Sequence, residues 1–250
     1  HPSAKRVQKL QEHIQLGNGT PYGCHIKVTL ARALFKAGFF VSLQDAINAF
    51  NALKRQAVLD MVNKLWPEAN ALVNKAYGID AACIFLFDDD DGKHHIATML
   101  SEEGVRMGCV LGNHLYCLTV YGAIYAILAK EFPTIYAKAA TDDFTGYGTA
   151  STNAGWQERY KMLEKQITRF AELGAPIGIH LHPGKGKLLL PPNAPDPENA
   201  GLLTLTTVVR TAVRDTGGHV GLDHDVRAEA KLKAESIKPL HDAIRLFGTK

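Results

Sequence analysis

Three aspartates stand where their carboxylates could take part in chemistry. Asp142 and Asp143 are adjacent in the stretch KAATDDFTGYG, between two strand-like runs, and Asp45 directly follows the strand-like run FFVSLQ. Adjacent carboxylates repel each other, so such a pair is either fully solvated in a turn or held by a cation. If the strands are neighbours in one sheet, the three carboxylates meet at one edge. A hard divalent cation such as Mg²⁺ would then relieve their repulsion.

A longer acidic run has a simpler interpretation. The sequence DDDDGK at residues 88–93 separates two strand-like runs, and Gly92 supplies the turn. The pattern predicts a β-hairpin with a charged tip. Nothing nearby in the sequence completes a coordination shell, so we interpret these four aspartates as solvated turn residues.

The elements that must position the aspartates follow from periodicity and turn residues. The predicted helices cover residues 21–38, 52–66, 67–77, 113–132, 156–173 and 225–247. The predicted strands cover residues 39–44, 81–87, 94–100, the runs on both sides of Asp142–Asp143, the segment after residue 178 and parts of 203–221. In the first helix, Ile26, Leu30, Ala33 and Leu34 are expected on the buried face. This mixture predicts an α+β fold.

Composition limits the class of protein. The 250 residues are 46% hydrophobic with a net charge of +3, weak for a protein that grips nucleic acid by its phosphates. No apolar run approaches the ~20 residues of a membrane-spanning helix, so no membrane partner is expected. The four cysteines lack metal-site spacing, which indicates buried free thiols in a reducing, intracellular compartment, nuclear or organellar (mitochondrial included). Because the chain opens at His1 without Met or a signal-like segment, we expect a fragment or a processed product.

Five segments in order resemble the reverse transcriptases (RNA-directed DNA polymerases) of non-LTR retrotransposons. In that family a strand ends in Asp-x-x-Asn-Ala-Phe-Asn, and a Gly-Val-x-Gln-Gly-Asp-Pro-Leu-Gly block, a Tyr-Ala-Asp-Asp hairpin, a lysine-containing block and a turn into the thumb follow. The matching segments are residues 15–62, 101–128, 137–146, 172–192 and 217–240. Five matches in the family's order are hard to obtain by chance.

The resemblance implies a polymerase palm, an antiparallel sheet packed on helices, with partial fingers and the start of a thumb. It divides the chain into residual fingers and connecting helices (1–38), a palm (39–200), and the palm-to-thumb turn with a thumb helix (201–250).

The resemblance also implies roles for single residues. Asp45, Asp142 and Asp143 would be the catalytic, Mg²⁺-binding carboxylates. Lys185 would act near the triphosphate as general acid for pyrophosphate, although Lys187 is close enough to take its place and either lysine could be a solvated turn residue.

Four further residues would contact the substrate. Phe50 would be the steric gate that prefers deoxynucleotides, or else an ordinary core residue. Asn48 would brace the turn after the strand together with Asn51, whose alternative role is to cap the following helix. Gly108 would let the backbone pass close to the template base pair. Met107 occupies the substrate-contacting position of the second block.

Departures from the family pattern suggest a second hypothesis. Met107 replaces the family's Gln, Cys109 and Val110 replace its Asp-Pro, and Ala140 replaces its hairpin Tyr. The arginines and lysines of the upstream fingers are missing. The chain is therefore either a polymerase that acts on an RNA template and a DNA primer, or a domesticated, inactive copy. Such a copy would serve as a structural or RNA-binding subunit, with protein or RNA partners, in a ribonucleoprotein or organellar complex.

Overall fold

The computed structural model describes residues 2–106 and 108–247. Met107, expected to contact substrate, lies outside the described residues. The helices are α1 (Pro2–Gln11), α2 (Gly23–Lys36), α3 (Ala49–Ala52), α4 (Arg55–Leu65), α5 (Asn70–Tyr77), α6 (Gly112–Val120), α7 (Ala126–Glu131), α8 (Asn153–Gly174), α9 (Ala200–Leu205) and α10 (Asp223–Phe247). A π-helical turn, Tyr121–Tyr125, joins α6 to α7. The strands are β1 (Phe40–Gln44), β2 (Ala81–Asp88), β3 (His94–Ser101), β4 (Tyr136–Ala140), β5 (Asp143–Gly148), β6 (Lys187–Leu189), β7 (Thr207–Val209), β8 (Ala212–Asp215) and β9 (Gly218–Gly221).

A five-stranded sheet organises the chain, in the order β4-β5-β1-β6-β7. The β4–β5, β5–β1 and β1–β6 pairs are antiparallel, whereas β6 and β7 run parallel. Two features of the register matter below: Gln44 is opposite Phe144, and Ala140 is opposite Asp143. The short β4–β5 connection therefore consists of Thr141 and Asp142.

Both faces of the sheet are covered. Successive side chains of a strand point to opposite faces, so neighbouring residues of β1 belong to different core clusters. Phe40 of β1 joins the larger core cluster, which also contains residues of α4, α6 and α8. Val41 joins a smaller cluster with Phe35 of α2 and with Val213 and Val220 of the β8–β9 hairpin. The hairpin and α2 therefore cover the face of the sheet opposite α8.

The predicted hairpin of residues 81–100 is present as β2–β3, and its faces are largely exposed. Gly92 adopts a left-handed φ of 74° at the tip. Asp88 pairs with His94 at 2.5 Å and Asp89 with His95 at 2.6 Å. The large apolar side chains exposed on the two strands are Ile84, Phe85, Leu86, Phe87, Ile96, Met99 and Leu100.

Several local expectations were wrong. The periodicity of the sequence predicted neither α1 nor α9. Asn199 caps α9: its side-chain Oδ1 accepts a hydrogen bond from the Gly201 backbone N–H at 3.0 Å. The buried face of α2 contains Lys27, Val28 and Ala31, while Ile26 and Ala33, expected there, are exposed. The four thiols are unpaired, but only Cys117 is buried. No helix in the described ranges is long and apolar enough to cross a membrane.

Candidate active site

The sheet register brings the aspartates to one edge. Asp45 follows the last residue of β1, Asp143 begins β5, and Asp142 lies in the turn before it. The backbone at Asp45, just after β1, is held by a hydrogen bond: the Asp45 carbonyl accepts from the His182 N–H at 2.8 Å. Antiparallel pairing thus places side chains nearly a hundred residues apart in sequence next to one another.

Burial and mutual repulsion disfavour the ionised forms of the two hairpin carboxylates. Burial raises the pKa of Asp142, and the charge of Asp45 raises it further. Burial also raises the pKa of Asp143, to which Asp142 and Asp215 add, while the ammonium of Lys27 lowers it. The site therefore favours a bound positive charge.

The donor chemistry of these three residues fits a hard divalent cation, since Mg²⁺ prefers carboxylate oxygens. Across residues 2–106 and 108–247, no group of three or more His, Cys, Asp or Glu side chains stands arranged to hold a metal ion. One carboxylate is instead engaged by a lysine. The Nζ of Lys185 lies 2.8 Å from Oδ2 of Asp45.

A cleft of about 250 Å³ opens beside the carboxylates. Asp45 and Asp143 form its acidic wall, and Lys185, Lys187 and Arg214 bring cationic groups to the same space. Lys187 and Arg214 are exposed. The cleft therefore combines an acidic edge with three cations, an arrangement suited to a ligand that carries both a metal ion and phosphates.

Asp215, which also lines the cleft, forms a buried ion pair that the sequence did not predict. Its Oδ1 contacts Nζ of Lys27, and the exposed fractions of the two side chains are 1% and 0%. The Lys27 Nζ also donates to Oγ1 of Thr216 at 2.9 Å. A lysine in an amphipathic helix is normally expected at the surface, so the sequence of α2 does not predict a buried ion pair. The run Asp215-Thr216-Gly217 predicts a tight turn at this position, but not the partner of Asp215.

Phe50 lies partly buried at the start of α3 and stacks on Tyr116 of α6. The two ring centroids are 4.5 Å apart and the rings are nearly parallel, at 14°. Burial raises the pKa of Tyr116 far above its ordinary value, and the charge of Asp142 adds to this effect. The stacked pair is therefore fixed from the core side and lies near the carboxylates.

The remaining expected substrate contacts are in turns. Asn48 has a left-handed φ of 45°, and its Oδ1 accepts a hydrogen bond from Nδ2 of Asn51 at 2.8 Å. Asn51 lies inside α3, and Lys54 occupies the N-cap position of α4, so the alternative that Asn51 caps the helix predicted at residues 52–66 is wrong. Gly108 is exposed with a φ of 83°, a conformation that favours glycine.

Known proteins resemble this chain in sequence and in fold. No family model matches it. It is 30% identical over 149 residues to the retrotransposable element SLACS 132 kDa protein of Trypanosoma brucei gambiense. That alignment covers 58% of this chain and 12% of the relative, so the chain spans a small part of that protein's length.

Two solved telomerase structures share the fold. Telomerase from Candida albicans, in complex with the TWJ fragment of telomeric RNA, superposes with a TM-score of 0.58 at 11% identity, over 88% of this chain and 36% of its own. Apo telomerase from Candida tropicalis, truncated from its C-terminal domain, gives a TM-score of 0.58 at 11% identity, over 88% of this chain and 42% of its own.

Proposed function

We propose that this chain, which carries a reverse-transcriptase-like domain, catalyses template-directed nucleotidyl transfer with deoxynucleotides. The observation that carries the proposal is the sheet register, which places Asp45, Asp142 and Asp143 along one edge of the sheet. Asp45 and Asp143 line a cleft there, together with cationic side chains. Acidic and basic groups are both needed there, because the reaction separates a triphosphate into a new phosphodiester and a pyrophosphate.

Asp45, Asp142 and Asp143 would hold Mg²⁺. A bound Mg²⁺ pair would supply Lewis-acid activation of the primer hydroxyl and charge neutralisation on the pyrophosphate. Burial of Asp142 and Asp143 supports this assignment, since burial raises the pKa of both carboxyls and a nearby positive charge would offset that effect.

Lys185 would change partners during the reaction. Its ammonium contacts Asp45 in the structure and would move to the phosphates when Asp45 holds the metal ion. Positioned there, it would donate a proton to the departing pyrophosphate. Lys187 lines the same cleft and is the alternative donor.

Phe50 would select the sugar. Its ring is fixed by the stack with Tyr116, so it cannot move aside without breaking that contact. A rigid ring below the sugar leaves no room for a 2′-hydroxyl, and deoxynucleotides are therefore preferred. Asn48 and Gly108 would shape the turns that border the nucleotide.

The partners would be an RNA template and a DNA primer. Telomerase from Candida albicans, which shares the fold, was solved with a telomeric RNA fragment, and this supports a nucleic-acid partner. Arg214 and Lys187 are exposed cations at the cleft that would contact phosphates.

Primer extension on an RNA template with Mg²⁺ tests the proposal. Asp142→Asn should reduce extension at least about 100-fold, because a metal ligand contributes several kcal/mol to the transition state. Asp90→Asn, the same charge change at the exposed β2–β3 tip, should extend like the wild type. Background incorporation by all three proteins would reject catalysis by this chain and favour the domesticated, non-catalytic alternative.

A further inference from the structure

The turn that carries Asp142 has an unusual backbone. Thr141, the residue before Asp142, adopts a left-handed φ of 60°. A β-branched residue avoids this conformation, which persists only where surrounding contacts enforce it. The contacts that hold Thr141 therefore bear on where the Asp142 carboxylate points.

One buried side chain supplies most of these contacts. The Oε1 atom of Gln15 accepts hydrogen bonds from the Thr141 N–H at 2.8 Å and from the Gly17 N–H at 2.9 Å. Its Nε2 donates to the Thr141 carbonyl at 2.9 Å. Gln15 is 1% exposed, so water does not compete for these bonds. The amide thus satisfies both backbone groups of the strained residue.

The chain around Gln15 is fixed to the same strand. The Leu16 N–H donates to the Ala139 carbonyl at 2.7 Å, and the Ala139 N–H donates to the Ile14 carbonyl at 2.8 Å. Gly17 approaches the turn so closely that an added Cβ would lie 2.3 Å from the Thr141 nitrogen. Asn113 of α6 donates to the Gly17 carbonyl at 2.9 Å. Gln15 is therefore held on both sides and cannot withdraw from the turn.

We propose that Gln15 is a positioning residue: its side-chain amide holds Thr141 in the left-handed conformation and thereby fixes the direction of the Asp142 carboxylate. We expect the Asp142 carboxylate, held in this direction, to bind a divalent cation together with Asp45; this part of the inference rests on the proposed function. Gln15 itself is separated from that cation site by the turn and acts through Thr141.

A pair of buried glutamines provides a matched test. Gln15→Met keeps an unbranched side chain but removes all three hydrogen bonds to Thr141 and Gly17. Gln11→Met is the control, since Gln11 is also fully buried but has other partners. Its Nε2 donates to the Val7 carbonyl at 3.2 Å and its Oε1 accepts a hydrogen bond from Nδ2 of Asn18 at 3.5 Å, so neither bond involves Thr141. Both variants lose buried hydrogen bonds, so a general loss of stability affects both.

Two measurements are made on each variant of the 250-residue chain. Hydrogen exchange by NMR reports whether the Thr141 amide is still protected. Titration with Mn²⁺ alone, followed by electron paramagnetic resonance, reports the affinity of the carboxylates without nucleic acid or turnover. Gln15→Met should speed exchange at Thr141 at least about tenfold, the loss of roughly one hydrogen bond, and weaken Mn²⁺ binding by a similar factor. Gln11→Met should change neither.

The outcomes separate this inference from the proposed function. Equal Thr141 exchange in the two variants would overturn the role of Gln15, whatever the Mn²⁺ result. Faster exchange with wild-type Mn²⁺ affinity would overturn it as well, because the turn would then not determine the site. If the wild type binds no Mn²⁺, the proposed function fails. In that case, faster exchange of the Thr141 amide in Gln15→Met than in Gln11→Met would still support the conclusion that Gln15 fixes the conformation of the turn.

Discussion

Lys27 of α2 and Asp215 at the end of β8 form a buried ion pair that joins the β8–β9 hairpin to α2, close to the candidate active site. The Lys27 ammonium lowers the pKa of Asp143, whereas the Asp215 carboxylate raises it. The second oxygen of Asp215 is buried and has no hydrogen-bond partner among the residues that the structure describes. The pair therefore combines a structural role with an electrostatic one.

Removing one partner of this pair should be costly. Lys27→Met leaves the Asp215 carboxylate buried and unpaired, and should lower the free energy of unfolding by about 3–5 kcal/mol. The double variant Lys27→Met with Asp215→Asn removes the stranded charge and should recover at least half of this loss. Urea denaturation monitored by circular dichroism measures both. Equal destabilisation in the single and double variants would contradict the assignment.

The raised pKa of Asp142 predicts a pH effect on stability. A carboxyl whose pKa is higher in the folded than in the unfolded protein binds protons more readily when folded, so it reduces stability as the pH rises above its ordinary value of 3.8. Asp142→Asn should therefore gain stability relative to wild type at neutral pH, and the gain should disappear as the pH falls to the ordinary value. Urea unfolding between these limits measures the difference. A constant difference between the two proteins across the range would show that Asp142 titrates normally.

Reducing the volume of Phe50 should relax sugar selection if the proposed function holds. Phe50→Val opens space beside the sugar, so incorporation of ribonucleotides relative to deoxynucleotides should rise by about tenfold or more. The ratio comes from single-nucleotide extension assays with each substrate. Phe50→Tyr keeps the ring and should retain the wild-type preference. An active Phe50→Val variant with an unchanged ratio would assign Phe50 to the core alone.

Two lysines compete for the role of general acid. Lys185→Met should lower the rate of nucleotide addition by about 100-fold or more, because Lys185 already reaches Asp45. Lys187 lines the same cleft, but Lys187→Met should lower the rate of nucleotide addition much less. Single-turnover kinetics with saturating nucleotide compares them. A larger loss of rate in Lys187→Met than in Lys185→Met would assign the role of general acid to Lys187.

Much of the fold followed from local sequence patterns. The strands that carry Asp45 and Asp142–Asp143 are short apolar runs bounded by turns, and the sheet pairs them as adjacent strands. The expected α+β palm and the resemblance to reverse transcriptases are confirmed by the telomerase structures and the retrotransposon relative. The assigned roles of the site residues and the three-part division of the chain remain predictions.

The buried polar contacts could not be predicted in the same way. Lys27 is paired with a residue 188 positions away, and Gln15 contacts a turn 126 positions away. Their partners are fixed only by how α2 and residues 14–17 pack on the sheet. The buried face of α2 was misjudged for the same reason, because the ion pair allows a lysine to occupy a position that a pattern of apolar residues assigns to the surface.

The β2–β3 hairpin has a consequence for the protein in solution. An isolated two-stranded ribbon is marginally stable, and here side chains such as Ile84, Leu86 and Ile96 are largely exposed on it. Within the described residues, no further strand pairs with its outer edges. These edges can pair with the same edge of another molecule, and the apolar side chains would be shielded in the resulting stack. Concentrated samples should therefore self-associate through this ribbon, and the double variant Ile84→Lys with Leu86→Lys should keep them monodisperse.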